Sequence, residues 1–474
     1  MITIDFSQKK NLGLCEYLYT SIRQQIIQGI LKPDSKLPSK RALSSHLGVS
    51  IITVQNAYAQ LIAEGYIYSI EKKGFYVTPI ISSGHSASSK LPENFYLSSS
   101  TDQESSLLVD FTANQTNFEK FPFSIWSRTM RQVLNSPNEK LLRRSNVKGV
   151  FELRNSIASY LMAFRNMKVS PEQIVIGSGT ENLYSLLVQF FGKEKIFALE
   201  NPGYKKAREI FELNGATCIP IPLDEQGFSS QELIKSKADI IHISPNHHFP
   251  TGIIMPIKRR MELLDWCKSR AGRFILEDDY DSEFRFNGKP LPTMQNISEE
   301  NNVIYLNTFT KTLSPSLRIG YMVLPLKLVK AFEEKFSSYS CQVSVFEQFT
   351  LAAFIDKGFY ETHINRMKNY YRGLRNSLIQ EFQKSSLSAF CKITEEDSGL
   401  HFLLTVNSSL NGKELQKILL NNGIKISLLD DYYYDLPESN QTEQNKISRF
   451  VVNYSGIQKK LIPQIIARME ESLT

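Results

Sequence analysis

From residue 107 to residue 474, short apolar runs alternate with stretches of helical spacing, and polar loops join them. Ile174-Val175-Ile176, Ile196-Phe197-Ala198-Leu199, Ile240-Ile241, Phe274-Ile275-Leu276 and Val303-Ile304-Tyr305-Leu306 are short enough to read as buried strands. Their alternation with helices predicts a parallel sheet wrapped by helices. Open sheets of that kind gather their ligands at the carboxyl ends of the strands. The candidate chemistry of this chain sits at such ends.

The last of these runs leads into Thr308-Phe309-Thr310-Lys311-Thr312-Leu313-Ser314-Pro315-Ser316-Leu317-Arg318-Ile319-Gly320. A lysine just past a strand can form a Schiff base with an aldehyde, while hydroxyls and an arginine can hold a phosphate. Pyridoxal 5'-phosphate (PLP) needs both. A solvated loop lysine is the ordinary alternative, and the neighbouring strand ends have to decide. After the first strand, Gly177-Ser178-Gly179-Thr180-Glu181-Asn182 opens a helix whose backbone N–H groups suit a phosphate. After the second, Glu200-Asn201-Pro202-Gly203-Tyr204 offers a tyrosine that can stack on a flat ring or simply pack in a turn. The third ends in Ser244-Pro245-Asn246-His247-His248-Phe249-Pro250-Thr251-Gly252. Adjacent histidines diverge on an extended chain and no matching ligand cluster accompanies them, so zinc is rejected and no metal is expected. The fourth carries Glu277-Asp278-Asp279-Tyr280-Asp281-Ser282-Glu283. Buried carboxylates need partners, and one of them can hold a protonated pyridine nitrogen; a calcium or magnesium cluster is the competing reading.

Residues 1–80 form a different kind of module. Leu18, Ile22, Ile26 and Ile30 have helical spacing, ended by Gly29 and Pro33. A second short helix opens at Leu37-Pro38-Ser39 and closes at Gly48, and Ser50 caps a third with Val54, Tyr58 and Leu61 on one face. Tyr66 to Ile70 and Phe75 to Val77 flank Glu71-Lys72-Lys73-Gly74 as a hairpin. These elements predict a winged helix-turn-helix, with the third helix in the major groove and the wing on the backbone or minor groove. Charge agrees: nine Lys and Arg against five Asp and Glu in these residues account for more than half of the net +7. A helical protein-interaction module is the alternative.

Residues 81–106, with ten serines and few apolar residues, read as a flexible tether. No run approaches a membrane span, no signal pattern opens the chain, and the five scattered cysteines suit a reducing cytoplasm.

The phrases LPSKRALSSHLGVS, TVQNAYAQLIAEGYI and KKGFYV resemble the GntR family, and VSPEQIVIGSG, ENPGYKKAR, FPTGIIMPIKRR, EDDYDSEFRF and TFTKTLSPSLRIGY resemble the fold-type I aminotransferases. In this order they resemble the MocR/GabR-type regulators over both domains. The resemblance implies a winged helix-turn-helix (1–80), the linker (81–106), and an α/β aminotransferase-like PLP-binding effector domain (107–474). Its large part spans about 147–330, and a smaller C-terminal α+β part spans about 331–474. It makes Lys311 the Schiff-base lysine, Asp278 the pyridine-nitrogen partner, Tyr280 the ring-hydroxyl partner and Tyr204 the stacking ring. Ser178, Gly179, Thr180, Thr308, Thr310 and Arg318 would hold the phosphate, and Arg449, in Arg449-Phe450-Val451-Val452-Asn453-Tyr454, the carboxylate of an effector. Arg41, Ser50, Thr53 and Gln55 would face DNA, with Lys72, Lys73 and Gly74 in the wing. Three departures stand out. Ile51 replaces a common arginine, so that a thymine methyl contact can replace a polar one. Phe249 replaces the asparagine before Pro-Thr-Gly. Glu181 stands where glutamine is frequent and is expected to point away from the phosphate. Leu429 to Lys446 reads as an extra loop over the pocket. The implied function is PLP-dependent transcription regulation of vitamin B6 or amino-compound genes, responding to PLP, an amine or an amino acid. The resemblance also implies a homodimer with heads exchanged between subunits and two half-sites of operator DNA, and the departures fit a domain that binds PLP without efficient turnover. The competing reading is a working aminotransferase with an accessory head.

Overall fold

The computed structural model describes residues 2, 4, 6, 13–79, 107–113, 117–136, 138–286, 291–395, 399–434 and 447–473. The serine-rich tether expected at 81–106 lies outside the described residues. The chain divides into two compact units, Met1–Asp102 and Gln103–Thr474. Among the described residues no helix is long and apolar enough to cross a membrane.

In the first unit, α1 (Leu14–Ile27), β1 (Lys36–Leu37), α2 (Lys40–Leu47), α3 (Ile51–Ala63), β2 (Ile67–Ile70) and β3 (Gly74–Val77) follow in order. Leu18, Ile22 and Ile26 of α1 meet Val54, Ala57, Tyr58 and Leu61 of α3 in one core, all of them buried. Ile30 belongs to the expected apolar series but falls beyond the end of α1 and is exposed. Ser39 caps α2 by accepting from the Ala42 N–H at 3.2 Å, and Ser50 caps α3 by accepting from Thr53 N–H at 3.1 Å. Gly48 ends α2 at φ +66°, a conformation that an L side chain resists. Lys36–Leu37 adds a short third strand to the hairpin, in the order β1-β3-β2.

The second unit begins with β4 (Val109–Asp110), α4 (Phe123–Asn135) and α5 (Phe151–Arg165). Strand and helix then alternate: β5 (Ile174–Gly177), α6 (Thr180–Phe191), β6 (Ile196–Asn201), α7 (Lys205–Leu213), β7 (Thr217–Asp224), β8 (Gly227–Phe228), α8 (Ser230–Lys235), β9 (Ile240–Ile243), α9 (Ile257–Lys268), β10 (Phe274–Asp278), α10 (Met294–Ile297), β11 (Val303–Thr308) and β12 (Gly320–Val323). Eight strands form one sheet in the order β5-β12-β11-β10-β9-β6-β7-β8. The central pairs are parallel, as the unbroken apolar runs require of strands covered on both faces. The sheet is nonetheless mixed, because β12 runs antiparallel between β11 and β5 and β8 folds back on β7. With β12 reversed, Gly320 at its start pairs with both Gly177 and Thr308. The loop between β11 and β12 and the loop after β5 thereby reach one edge of the sheet.

The remaining elements are α11 (Leu326–Lys335), α12 (Val345–Asp356), α13 (Phe359–Lys384), β13 (Cys391–Thr394), β14 (His401–Asn407), α14 (Gly412–Asn421), β15 (Ile424–Lys425), β16 (Ser427–Leu428), β17 (Ile447–Asn453) and α15 (Ile462–Leu473). An antiparallel sheet in the order β13-β14-β17-β16 lays Phe402, Leu404, Phe450 and Val452 against α13 and α15. Because strand side chains alternate, the other face presents His401, Leu403 and Val451. Leu403, Val451 and Leu429 pack with Phe249, Tyr432 and Tyr433, so this face closes over the loop after β9.

Candidate cofactor site and nucleic-acid interface

Four of the five carboxylates in and after β10 find separate partners rather than gathering into one acidic cluster. Glu277 accepts the N–H groups of Met294 and Gln295 at 2.8 and 3.0 Å, and burial still pushes its carboxyl up to about 7. Asp279 is held by Arg165, by Asn246 Nδ2 at 2.7 Å and by Tyr305 OH at 2.7 Å. Asp281 meets His247 Nδ1 at 2.8 Å. Asp278 takes the Tyr184 hydroxyl on Oδ2, with His242 Nε2 3.0 Å from that hydroxyl. Its Oδ1 is buried without a hydrogen-bond partner among the described residues. A carboxylate clamped on one oxygen and open on the other is built to receive a donor, and a protonated ring nitrogen is such a donor.

Lys311 follows β11 on the same edge. Burial pushes its ammonium down to about 8, and the charge of Asp281 works against that shift. Thr308 Oγ1 and Thr310 Oγ1 lie 2.7 Å apart, and Thr308 Oγ1 also accepts the Thr310 N–H at 3.2 Å. Across the β5–β12 pair, Gly179 has φ +86° and leads into Thr180 at the start of α6. A Cβ on Gly179 would stand 3.1 Å from Arg318 Nη2, so glycine lets the guanidinium lie against the loop. Ser178 donates its hydroxyl to Gln342 Oε1 at 3.0 Å. Hydroxyls, a guanidinium and a helix N-terminus meeting in this way can hold a phosphate.

Glu181 does not point away. It accepts from Arg318 Nη2 at 2.7 Å and forms an ion pair with Lys206, whose hydrogen bond holds its carboxyl below the usual range. Two cations hold it toward the loop, whereas the expectation rested on the unfavourable nearness of an acid to a phosphate.

Tyr204 precedes α7, is 40% exposed, and meets Phe249 edge-on with ring centroids 6.0 Å apart. The Tyr280 hydroxyl lies 3.3 Å from His247 Nδ1. The Tyr432 carbonyl accepts the Gly203 N–H at 3.1 Å, and Asn201 Oδ1 accepts the Tyr434 N–H at 3.1 Å. The first part of the segment 429–446 therefore rests on the loop that carries Tyr204; residues 435–446 lie outside the described ones. Arg449 is exposed on β17, opposite Thr405, whereas His401 stands opposite Asn453. Four residues separate these positions, about 13 Å along the strand.

The two adjacent histidines do diverge, His247 toward Asp281 and His248 toward Thr251 Oγ1 at 2.7 Å. The expectation that no ligand cluster accompanies them needs correction. Folding brings His401, more than 150 residues away, to 4.4 Å from the His247 ring, and His247, Asp281 and His401 form one buried group. Tyr184 and His242, which orient Asp278, also escaped the sequence reading. Their signals were a tyrosine one turn into the helix after the glycine loop and a titratable residue inside a wholly buried strand.

In the head, Arg41, Gln55, Lys72 and Lys73 are exposed. Ser50 and Thr53 join at the start of α3 by a 2.8 Å hydroxyl pair. Lys72, at φ +60°, and Lys73 form the tip of the hairpin before Gly74. Ile51 and Ile52 are exposed after Ser50, at the end of α3 that a winged helix-turn-helix turns to base edges.

Residues 107–439 match the model of aminotransferase class I and II, and residues 14–77 match that of the bacterial regulatory proteins, gntR family. An uncharacterized HTH-type transcriptional regulator of Bacillus subtilis, YdeL, is 38% identical over 90% of this chain and 91% of its own. The probable rhizopine catabolism regulatory protein MocR of Rhizobium meliloti is 30% identical over 94% and 90%. The kynurenine aminotransferase of Pyrococcus horikoshii superimposes with a TM-score of 0.68 at 23% identity, over 78% of this chain and 92% of that one, which shows the fold alone. A gntR-type head in front of a fold-type I aminotransferase domain defines a class of transcription regulator. The chain belongs to that family, the MocR-type regulators.

Proposed function

We propose that this regulator binds PLP at the edge of the large sheet and that PLP, alone or with an amine or amino acid, changes how its head binds DNA. The observation that carries the reading is Asp278: a buried carboxylate, fixed on one oxygen by Tyr184 and open on the other, on the sheet edge that also carries Lys311. When bound, PLP supplies an aldehyde that a lysine amine can capture and a ring that withdraws electrons. Asp278 would hold the ring nitrogen protonated. Lys311, with its depressed pKa, would present a neutral amine to the aldehyde. Tyr204 would cover the ring, Tyr280 would meet its hydroxyl, and Ser178, Gly179, Thr180, Thr308, Thr310 and Arg318 would cradle the phosphate. Arg449 would meet the carboxylate of an effector. On the head, Arg41, Ser50, Thr53 and Gln55 would contact one groove and Lys72, Lys73 and Gly74 its flank.

The relatives support a link to B6 or amino compounds: PdxR of Corynebacterium glutamicum is named for pyridoxine biosynthesis, and MocR for rhizopine catabolism. The test adds PLP to the purified protein and follows the long-wavelength absorbance of lysine-bound cofactor together with operator binding. The expected result is a band absent from Lys311→Ala and a change in affinity on loading. A band that survives Lys311→Ala overturns the assignment. Multiple-turnover transamination across a panel of amino donors and 2-oxo acids overturns the reading of a regulator without efficient catalysis.

A further inference from the structure

Beside Lys311 the chain assembles a buried polar group. Asp281, His247 and His401 are each about 3% exposed, and their ligand atoms lie within 4.8 Å of one another. His247 Nδ1 is bonded to the Asp281 carboxylate, which can only accept, so Nδ1 carries a proton. His401 is bonded to the Pro250 carbonyl, also only an acceptor, and its Nε2 is the unpartnered nitrogen. Its proton therefore sits on Nδ1 as well, and burial holds the ring neutral. The Nε2 atoms of both rings lack a hydrogen-bond partner among the described residues. Gly399 closes one side, where a Cβ would fall 1.9 Å from His247 Cε1. Phe249, Leu403 and Val451 make the apolar flank, with the Phe249 ring 5.1 Å from that of His401.

The open His401 lone pair and the Asp281 carboxylate, in an apolar surround, attract a donor-rich cation and repel a carboxylate. The cation on the same strand face, Arg449, is about 13 Å along from the position opposite His401. We propose that His247, Asp281 and His401 bind an ammonium group of the effector, which is therefore an amine with a second cationic group rather than an amino acid. This rests on the reading of Lys311 as the PLP lysine. A metal dication would use the same donors, so cobalt(II) serves as the competing probe.

Three ligands of equal chain length separate the possibilities: 1,4-diaminobutane, 4-aminobutyrate and n-butylamine, titrated calorimetrically into the PLP-loaded full-length protein. The diamine is expected to bind at least about tenfold more tightly than either of the others, the worth of one charge-assisted hydrogen bond. Asp281→Asn should erase the preference. If that variant does not fold, His401→Gln, which keeps a polar side chain of similar reach, should reduce it. Equal or tighter binding of 4-aminobutyrate overturns the proposal, as does a preference that survives the substitutions. A cobalt(II) absorption band that depends on His401 also overturns it by making the group a metal site. A protein that never acquires the PLP band fails at the earlier reading, whereas one that acquires it and binds no diamine fails only here.

Discussion

Burial, more than any neighbour, sets the chemistry of Lys311. Desolvation favours the neutral amine and brings its pKa to about 8, while Asp281 pulls in the opposite direction. The amine is the attacking form, so the rate of PLP attachment should rise with pH and level off above about 8. Stopped-flow absorbance across that range measures the inflection. Asp281→Asn removes the opposing charge and should move the inflection down. At Asp278 the issue is an open acceptor. Asp278→Asn keeps the shape but loses the charge, and PLP should bind about ten- to a hundredfold more weakly, read by equilibrium titration. A change under twofold would mean that the open oxygen faces no cofactor.

Capping governs the head. Ser50 accepts the Thr53 N–H and its hydroxyl pairs with Thr53, so it fixes the first turn of α3. Ser50→Ala should cost about 1 kcal/mol of stability in a denaturant melt and weaken operator binding by more than that loss explains. Lys72→Ala and Lys73→Ala should each lower the slope of log affinity against log salt by about one and leave sequence preference unchanged. Elements of this kind were legible in the sequence because their signals are local: a capping serine, a closing glycine, an apolar stripe. The reversed strand β12 was not. Gly320–Val323 is as short and apolar as the parallel strands, and nothing in its residues states its direction. The site divided along the same line. Lys311, Asp278 and Tyr204 each follow an apolar run and could be put forward as candidates from it. His401 joins His247 only through the packing of the small sheet, and the orientation of Glu181 depends on Lys206 from the next helix.

At the level of the whole molecule, the proposed homodimer would carry two heads, and two heads demand a spaced pair of DNA half-sites. Sedimentation should give a dimer, and footprinting should protect two half-sites. Inserting about half a helical turn between them should reduce affinity strongly, since it rotates one half-site to the opposite side of the duplex. Unchanged affinity in a mobility-shift assay would mean that the heads bind independently.

Glu181 bears on the range over which such a protein responds. Its carboxylate already occupies Arg318, the guanidinium of the proposed phosphate cradle, and is itself steadied by Lys206. An incoming phosphate has to compete with a tethered anion whose effective concentration never changes. That competition raises the ligand concentration at half saturation without altering what the site recognises. The pair is partly exposed and so modest in strength, and Glu181→Gln should tighten PLP binding by no more than about fivefold. A cell would read that variant as a detector with its threshold turned down.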